Sequence, residues 1–172
     1  MSDKSAISIR PATKDDVALV LQFIKGLADY ERLADQVVAT EANLAESLFG
    51  HNANAEAYFA HLSSRDGEPV SVGCAIFTQH YSTYSGNSSL YLEDVFVLPE
   101  WRGRGVGREL LAYGAGLAKS RGYPRMEWSV LDWNEQAIGF YENLGAERLE
   151  GWYIYRLSGD ALKRLNPRPR SP

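Results

Sequence analysis

The sequence predicts an α/β fold, and three observations point to it. Stretches with helical apolar spacing alternate with short apolar runs of strand length. The 172 residues, 45% hydrophobic and 23% charged, suit one domain with a buried core. A turn with three glycines separates the clearest strand pattern from a helix. We expect a single domain over residues 5–166 and a proline-rich, disordered tail over 167–172.

The first elements are predicted from apolar spacing and cap residues. Residues 7–10 alternate like a short strand, and Thr13 is a candidate cap for an amphipathic helix over 17–28. Thr40 is the candidate cap of a second, shorter helix that ends near Gly50.

Three strands follow in the central part of the chain. Residues 57–62 and 70–77 flank Asp66-Gly67, a dipeptide typical of a hairpin turn. Residues 81–89, rich in Ser, Thr and Tyr, predict a polar loop. The run 90–97 is the clearest strand of the chain, and the proline at position 99 ends it.

The C-terminal third predicts two strands and three helices. A helix starts at about residue 106 and stops at Gly122, and a strand covers 126–131. Either Asp132 or Asn134 caps the next helix, which ends at Gly145. A last strand over 152–157 and a short helix over 162–165 close the domain.

Composition excludes several classes of function. Eighteen basic and 22 acidic residues give a net charge of −4, which argues against a nucleic-acid binder. A single cysteine, Cys74, excludes an intramolecular disulfide and a multi-thiolate metal site. His51, His61 and His80 share no metal-ligand spacing, so no metal is expected. Without a signal-peptide pattern or a membrane-spanning run, a reduced cytoplasmic protein is expected.

The glycine-rich turn predicts an anion site. Gly103, Gly105 and Gly107 let backbone amides converge at a helix N-terminus, where the helix dipole is positive. Three arginines, Arg102, Arg104 and Arg108, add charge suited to phosphate. The spacing fits neither a P-loop nor a dinucleotide fingerprint. A purely structural turn is the alternative.

The motif that does fit is R-x-x-G-x-G, formed by Arg102, Gly105 and Gly107. It occurs together with Leu90-Tyr91-Leu92-Glu93-Asp94, Trp133-Asn134-Glu135, Phe140-Tyr141 and Glu150-Gly151-Trp152. This set resembles the GNAT superfamily of N-acetyltransferases, in the branch of the spermidine/spermine and thialysine acetyltransferases. The resemblance covers about residues 7–165. It implies a mixed, mostly antiparallel twisted sheet of about six to seven strands flanked by about four helices.

The same resemblance implies acetyl-CoA as cosubstrate, a small-molecule amine as acceptor, direct attack in a ternary complex, and a homodimer. The turn would bind the CoA diphosphate, β-type pairing with strand backbone would hold the pantetheine arm, and a second segment at a helix start would complete the site. The implied cofactor-binding residues are Val95, Phe96, Val97, Arg102, Gly103, Arg104, Gly105, Val106, Gly107, Arg108, Asn134, Glu135, Gln136, Ala137 and Tyr141. Asn134 is equally suited to be a helix N-cap.

Amide formation from a thioester needs a neutral amine and a protonated leaving thiolate. The resemblance makes Glu93 the substrate-side acid or base, acting through water, and Tyr141 the acid that protonates the thiolate. Glu93 has the alternative of a structural carboxylate paired with an arginine. Tyr141 has the alternative of a core aromatic residue.

Carboxylates and aromatic rings suit a cationic substrate. The implied amine-binding residues are Tyr30, Glu31, Thr83, Glu93, Asp94, Glu150 and Trp152. Asp94 is expected on the opposite face from Glu93 if the strand alternates regularly. Thr83 stands where polyamine acetyltransferases carry an acid, which favours a short amine with an amino-acid head over a long polyamine. Two other functions stay open, a non-catalytic acyl-CoA-sensing module and a peptide or protein acetyltransferase.

Overall fold

The computed structural model describes residues 6–63 and 69–165, and the chain divides into two compact units, 1–129 and 130–172. The expected Asp66-Gly67 turn and the tail over 167–172 lie outside the described residues.

Within the part of the chain that the structure describes, the first unit is built on a mixed sheet of five strands, in the order β1-β2-β3-β4-β5. The strands are β1 (Ser8–Pro11), β2 (Ala55–Ser63), β3 (Pro69–Ser82), β4 (Asn87–Val97) and β5 (Met126–Trp128). Neighbours from β1 to β4 pair antiparallel, and β5 pairs parallel with β4. The α/β class is confirmed, with fewer strands than the six to seven expected.

The described residues of this unit form three α-helices, α1 (Val17–Glu31), α2 (Glu41–Phe49) and α3 (Val106–Ser120). The predicted cap of α2 is confirmed, because Thr40 Oγ1 accepts from the Asn43 amide at 3.3 Å and Asn43 Oδ1 accepts from the Thr40 amide at 2.6 Å. Thr13 precedes a 3-10 turn at Lys14–Asp16, which leads directly into α1.

The sheet is covered on both faces. On one face, here called the α1 face, side chains of α1 and α2 pack on Phe59, Ile76 and Phe96. On the other face α3 packs on β2, β3 and β4. There the backbone of Gly114 lies against the Phe77 ring. This arrangement places the end of α1 and the start of α3 beside the C-terminal end of β4.

The predicted polar loop over 81–89 is mostly strand. β3 runs to Ser82 and β4 starts at Asn87, so the turn comprises only residues 83–86. Cross-strand polar contacts explain this, since Gln79 Nε2 donates to Ser88 Oγ at 2.8 Å. Ser89 is buried, although its side chain is polar.

The second unit contains α4 (Glu135–Asn143) and α5 (Gly159–Arg164). Asn134 Oδ1 accepts from the Ala137 amide at 3.2 Å, so its role as the N-cap of α4 is confirmed. The predicted strand over 152–157 is absent, and residues 129–131 do not extend β5. Residues 152–157, rich in aromatic side chains, have no ladder partner among the described residues.

None of the helices in the described part of the chain has the length and apolar character needed to cross a bilayer.

Candidate active site

A β-bulge at Glu93 interrupts β4. Asp94 pairs with Ile76 and Leu92 pairs with Phe77, so Glu93 is an extra residue between two consecutive pairs. A bulge of this kind re-aims side chains and breaks the regular alternation of faces.

The bulge places Glu93 and Asp94 on the same face of the sheet. Asp94 lies opposite Ile76, whose side chain is in the α1-face core. Thr78, two residues after Ile76, shares that face, and its hydroxyl donates to Glu93 Oε1 at 2.9 Å. The expectation of opposite faces is therefore wrong, because it assumed a strand without a bulge.

Burial distinguishes the two carboxylates. Glu93 is exposed, whereas Asp94 lines a small cavity with apolar side chains of α1, β3 and β4. Burial, followed by the negative charges of Glu31 and Glu93, raises the pKa of Asp94 to about 6. Burial also raises the pKa of Glu31. We call these three residues, Glu31, Glu93 and Asp94, the acidic cluster.

The edge of β4 next to the acidic cluster has an open stretch. The parallel ladder with β5 ends at the pair Leu92–Trp128. Within the described residues, Val95, Phe96 and Val97 therefore have a strand partner only on the β3 side. Such an edge offers backbone groups to an extended ligand.

The glycine-rich turn follows directly. A 3-10 turn at Pro99–Trp101 leads into Gly103 and Gly105, whose φ angles are 72° and 90°. Left-handed backbone at these two positions favours glycine. Gly105 is the N-cap of α3. The first helical hydrogen bond of α3 is donated by the Glu109 amide to the Gly105 carbonyl. The amides of the first helical turn therefore have no helical acceptor and can bind an anion.

The three arginines of the turn differ in their surroundings. The guanidinium of Arg104 lies 4.6 Å from the Trp101 ring centroid, and Arg108 is exposed. Arg102 is folded inward, since its Nε donates to the Val97 carbonyl at 3.0 Å. Its Cζ lies 4.8 Å from the Tyr30 ring centroid.

The structure therefore brings together Tyr30, Glu31, Glu93, Asp94, Val95–Val97 and the turn over 102–108. Thr83 does not join them. It lies in the turn over 83–86, about 16 Å along the hairpin from Thr78 at the usual rise per strand residue.

The remaining predicted site residues belong to the second unit. Asn134 and the residues Glu135, Gln136 and Ala137 form the start of α4. Tyr141 lies in the same helix, with its ring centroid 5.4 Å from that of Phe140. Glu150 and Trp152 follow in the irregular segment after α4, and both are exposed.

Thr78 is a site residue that sequence reasoning missed. Its spacing from Ile76 assigns it to the α1 face, but its contact with Glu93 depends on the bulge, which apolar periodicity does not reveal.

Among residues 6–63 and 69–165, no group of three His, Cys, Asp or Glu side chains is placed to hold a metal ion.

Comparison with known proteins identifies the family. The profile of the "Acetyltransferase (GNAT) family" matches residues 25–146. A thialysine N-epsilon-acetyltransferase of Bos taurus is 37% identical over 92% of this chain and 96% of its own. The L-ornithine N5-acetyltransferase of Arabidopsis thaliana is 30% identical over 92% of this chain and 87% of its own. A human spermidine/spermine N(1)-acetyltransferase-like protein is 31% identical over 90% of this chain and 23% of its own.

Solved structures show the same fold. An integron cassette protein from the mobile metagenome of V. cholerae matches with a TM-score of 0.72 and 26% identity, over 92% of this chain and 96% of that chain. AAC(6')-Iy in complex with the bisubstrate analogue CoA-S-monomethyl-acetylneamine matches with a TM-score of 0.68 and 24% identity, over 88% and 98%. With the α/β sheet, the bulged fourth strand and the R-x-x-G-x-G turn in place, the chain belongs to the acetyltransferase (GNAT) family, as an acyltransferase in the branch of the thialysine and spermidine/spermine-like enzymes.

Proposed function

We propose that the protein is an acetyl-CoA-dependent N-acetyltransferase of small primary amines, either a thialysine-like amino acid or a diamine. The observation that carries the proposal is the bulge at Glu93. It places Glu93 and Asp94 on one face with Glu31, next to the open edge of β4 and the glycine-rich turn. Relatives named for thialysine and L-ornithine acetylation support the same class of amine.

The residues of the turn fit a diphosphate. Acetyl-CoA, when bound, supplies the acetyl group as an activated thioester. Residues 103–108 offer amides of a left-handed turn and of the first turn of α3, and Arg104 and Arg108 add positive charge. The backbone of Val95–Val97 would pair with the pantetheine arm along the open edge. Asn134–Ala137 remain the second proposed cofactor segment.

The acidic cluster would bind and deprotonate the amine. An alkyl ammonium resembles lysine, with a pKa of about 10.4, so it reaches the site charged. Asp94 and Glu31 attract the cation, and Glu93, the more exposed carboxylate, accepts its proton through water. Glu150 and Trp152 remain proposed amine-binding residues, and Thr83 remains one only for an amine long enough to reach the turn over 83–86.

Tyr141 is the proposed acid for the departing thiolate. A phenol of pKa about 10 can donate a proton to a thiolate as it leaves. The proposed reaction is direct attack in a ternary complex, in a cytoplasmic homodimer.

The test measures CoA release with acetyl-CoA and a panel of thialysine, L-ornithine, lysine, putrescine and spermidine. We expect turnover with the short amines and a loss of about 100-fold in kcat/KM for Glu93→Gln. Calorimetric titration with CoA runs beside it. Binding of CoA without turnover of any amine would favour an acyl-CoA-sensing module, and turnover of peptides alone would favour a peptide acetyltransferase.

A further inference from the structure

Arg102 makes contacts that the other arginines of the turn lack. Its Nε donates to the Val97 carbonyl at 3.0 Å, at the end of β4. Its guanidinium carbon lies 4.8 Å from the Tyr30 ring centroid and 5.4 Å from the Phe96 ring centroid. Both distances are within the range of cation–π attraction. One side chain of the glycine-rich turn thus contacts both the end of β4 and α1.

The Tyr30 and Phe96 rings form a platform under Arg102, and this platform is tightly packed. A Cβ added at Gly26 of α1 would lie 2.8 Å from the Phe96 ring, so the helix backbone lies directly on that ring. Phe96 is 8% exposed and belongs to the α1-face core. A shift of α1 at this point would therefore move Tyr30 and disturb the stack on Arg102.

Arg104 provides the contrast. Its guanidinium lies on Trp101 and its Nη2 approaches the Glu100 carbonyl at 3.4 Å, so these contacts stay inside the turn. They stabilise the turn locally and reach neither α1 nor β4. Arg102 differs in linking the turn to Tyr30, a residue on the amine side of the site.

We propose that Arg102 is a positioning residue that couples the acetyl-CoA turn to the amine pocket through the Tyr30 ring. The inference rests on the proposed function. The bond to Val97 and the stack on Tyr30 hold the turn in its ligand-ready geometry before CoA arrives, which lowers the entropic cost of binding. Removing the Tyr30 ring takes away half of the platform. Affinity for CoA then falls, although Tyr30 is far in sequence from the turn.

The test is calorimetric titration of CoA into the full-length parent, four single variants and one double variant. We expect Tyr30→Leu and Tyr30→Met to weaken CoA binding about three- to tenfold, in line with one cation–π contact. Tyr30→Phe, which keeps the ring, should bind CoA within about twofold of the parent. Arg102→Met should weaken CoA binding at least as much as Tyr30→Leu.

The double variant Tyr30→Leu/Arg102→Met identifies coupling. If the two residues act as a unit, it binds CoA no more weakly than Arg102→Met alone. In steady-state assays, Tyr30→Leu should raise KM for acetyl-CoA, an effect not expected of a residue that contacts only the amine. Circular dichroism melts show whether each variant is folded, and Tyr30→Met replaces Tyr30→Leu if the latter is not.

Two results would overturn the inference. One is a parent that binds CoA while folded Tyr30→Leu or Tyr30→Met keeps the parental affinity. The other is a double variant whose loss of CoA binding free energy equals the sum of the losses in Tyr30→Leu and Arg102→Met. A parent that binds no CoA overturns the proposed function first, and this inference with it.

Discussion

The hydroxyl of Thr78 donates a 2.9 Å hydrogen bond to Oε1 of Glu93, across the ladder from the bulge that turns Glu93 to the α1 face. This bond holds one oxygen of the carboxylate and leaves the other oriented away from the hydroxyl.

Replacing Thr78 tests this contact. We expect Thr78→Val to lower kcat/KM for the amine about three- to tenfold, because a charge-assisted hydrogen bond is lost. Steady-state kinetics with the amine measures kcat/KM for the parent and the variants. Thr78→Ser, which keeps the hydroxyl, is the matched control and should retain the parental kcat/KM. An unchanged kcat/KM in folded Thr78→Val would show that this hydrogen bond does not contribute to catalysis.

The raised pKa of Asp94 predicts a pH dependence of amine binding. Burial and the neighbouring carboxylates raise this pKa to about 6, so the group becomes neutral as the pH falls through 6. A neutral acid attracts an ammonium less, and KM for the amine should therefore rise below pH 6 while KM for acetyl-CoA stays flat. Steady-state kinetics between pH 5 and 8 measures both constants. Asp94→Asn should have a high amine KM at all these pH values, and a parent KM independent of pH would contradict the assignment.

Tyr141→Phe tests the proposed acid. We expect kcat to fall about 100-fold, because the thiolate then leaves without a positioned proton donor. CoA affinity by calorimetry should stay within about twofold of the parent, since the ring is kept. Full turnover by Tyr141→Phe would leave the tyrosine with a packing role alone.

Two glycines of α3 give a paired test of the fold. A Cβ at Gly114 would lie 2.7 Å from the Phe77 ring and 2.9 Å from Met126 Sδ, whereas nothing lies within 4 Å at Gly116. Gly114→Ala should lower the free energy of unfolding by about 1–3 kcal/mol through overpacking. Gly116→Ala should raise it by about 0.5–1 kcal/mol, because alanine is the better helix former. Urea denaturation of both variants measures the difference, and equal effects would contradict this packing of α3 on the sheet.

Local chemistry determined much of the fold from the sequence. The cap at Thr40, the stop near Gly50 and the left-handed turn at Gly103 and Gly105 follow from neighbouring residues alone. Helix periodicity and glycine spacing are short-range properties, and a linear pattern records them directly. The R-x-x-G-x-G motif and its companion segments are equally visible in the linear sequence, and the family that they indicate is the one to which the chain belongs.

Strand pairing was harder to predict, because it depends on a partner. The residues at 81–89 look like a loop when taken alone, but they pair across a hairpin through polar side chains such as Gln79 and Ser88. Residues 152–157 show the opposite error, since they have a strand pattern without a ladder partner among the described residues.

The site itself was decided by tertiary structure. The sequence determined that a glutamate, an aspartate and a turn rich in glycine and arginine belong to the protein, but its predicted first helix ended at residue 28, before Tyr30. It could not determine that Glu93 and Asp94 share a face, because a bulge arises from the register between two strands. Nor could it place Arg102 over Tyr30, because contacts between residues distant in sequence exist only after the helix has packed on the sheet.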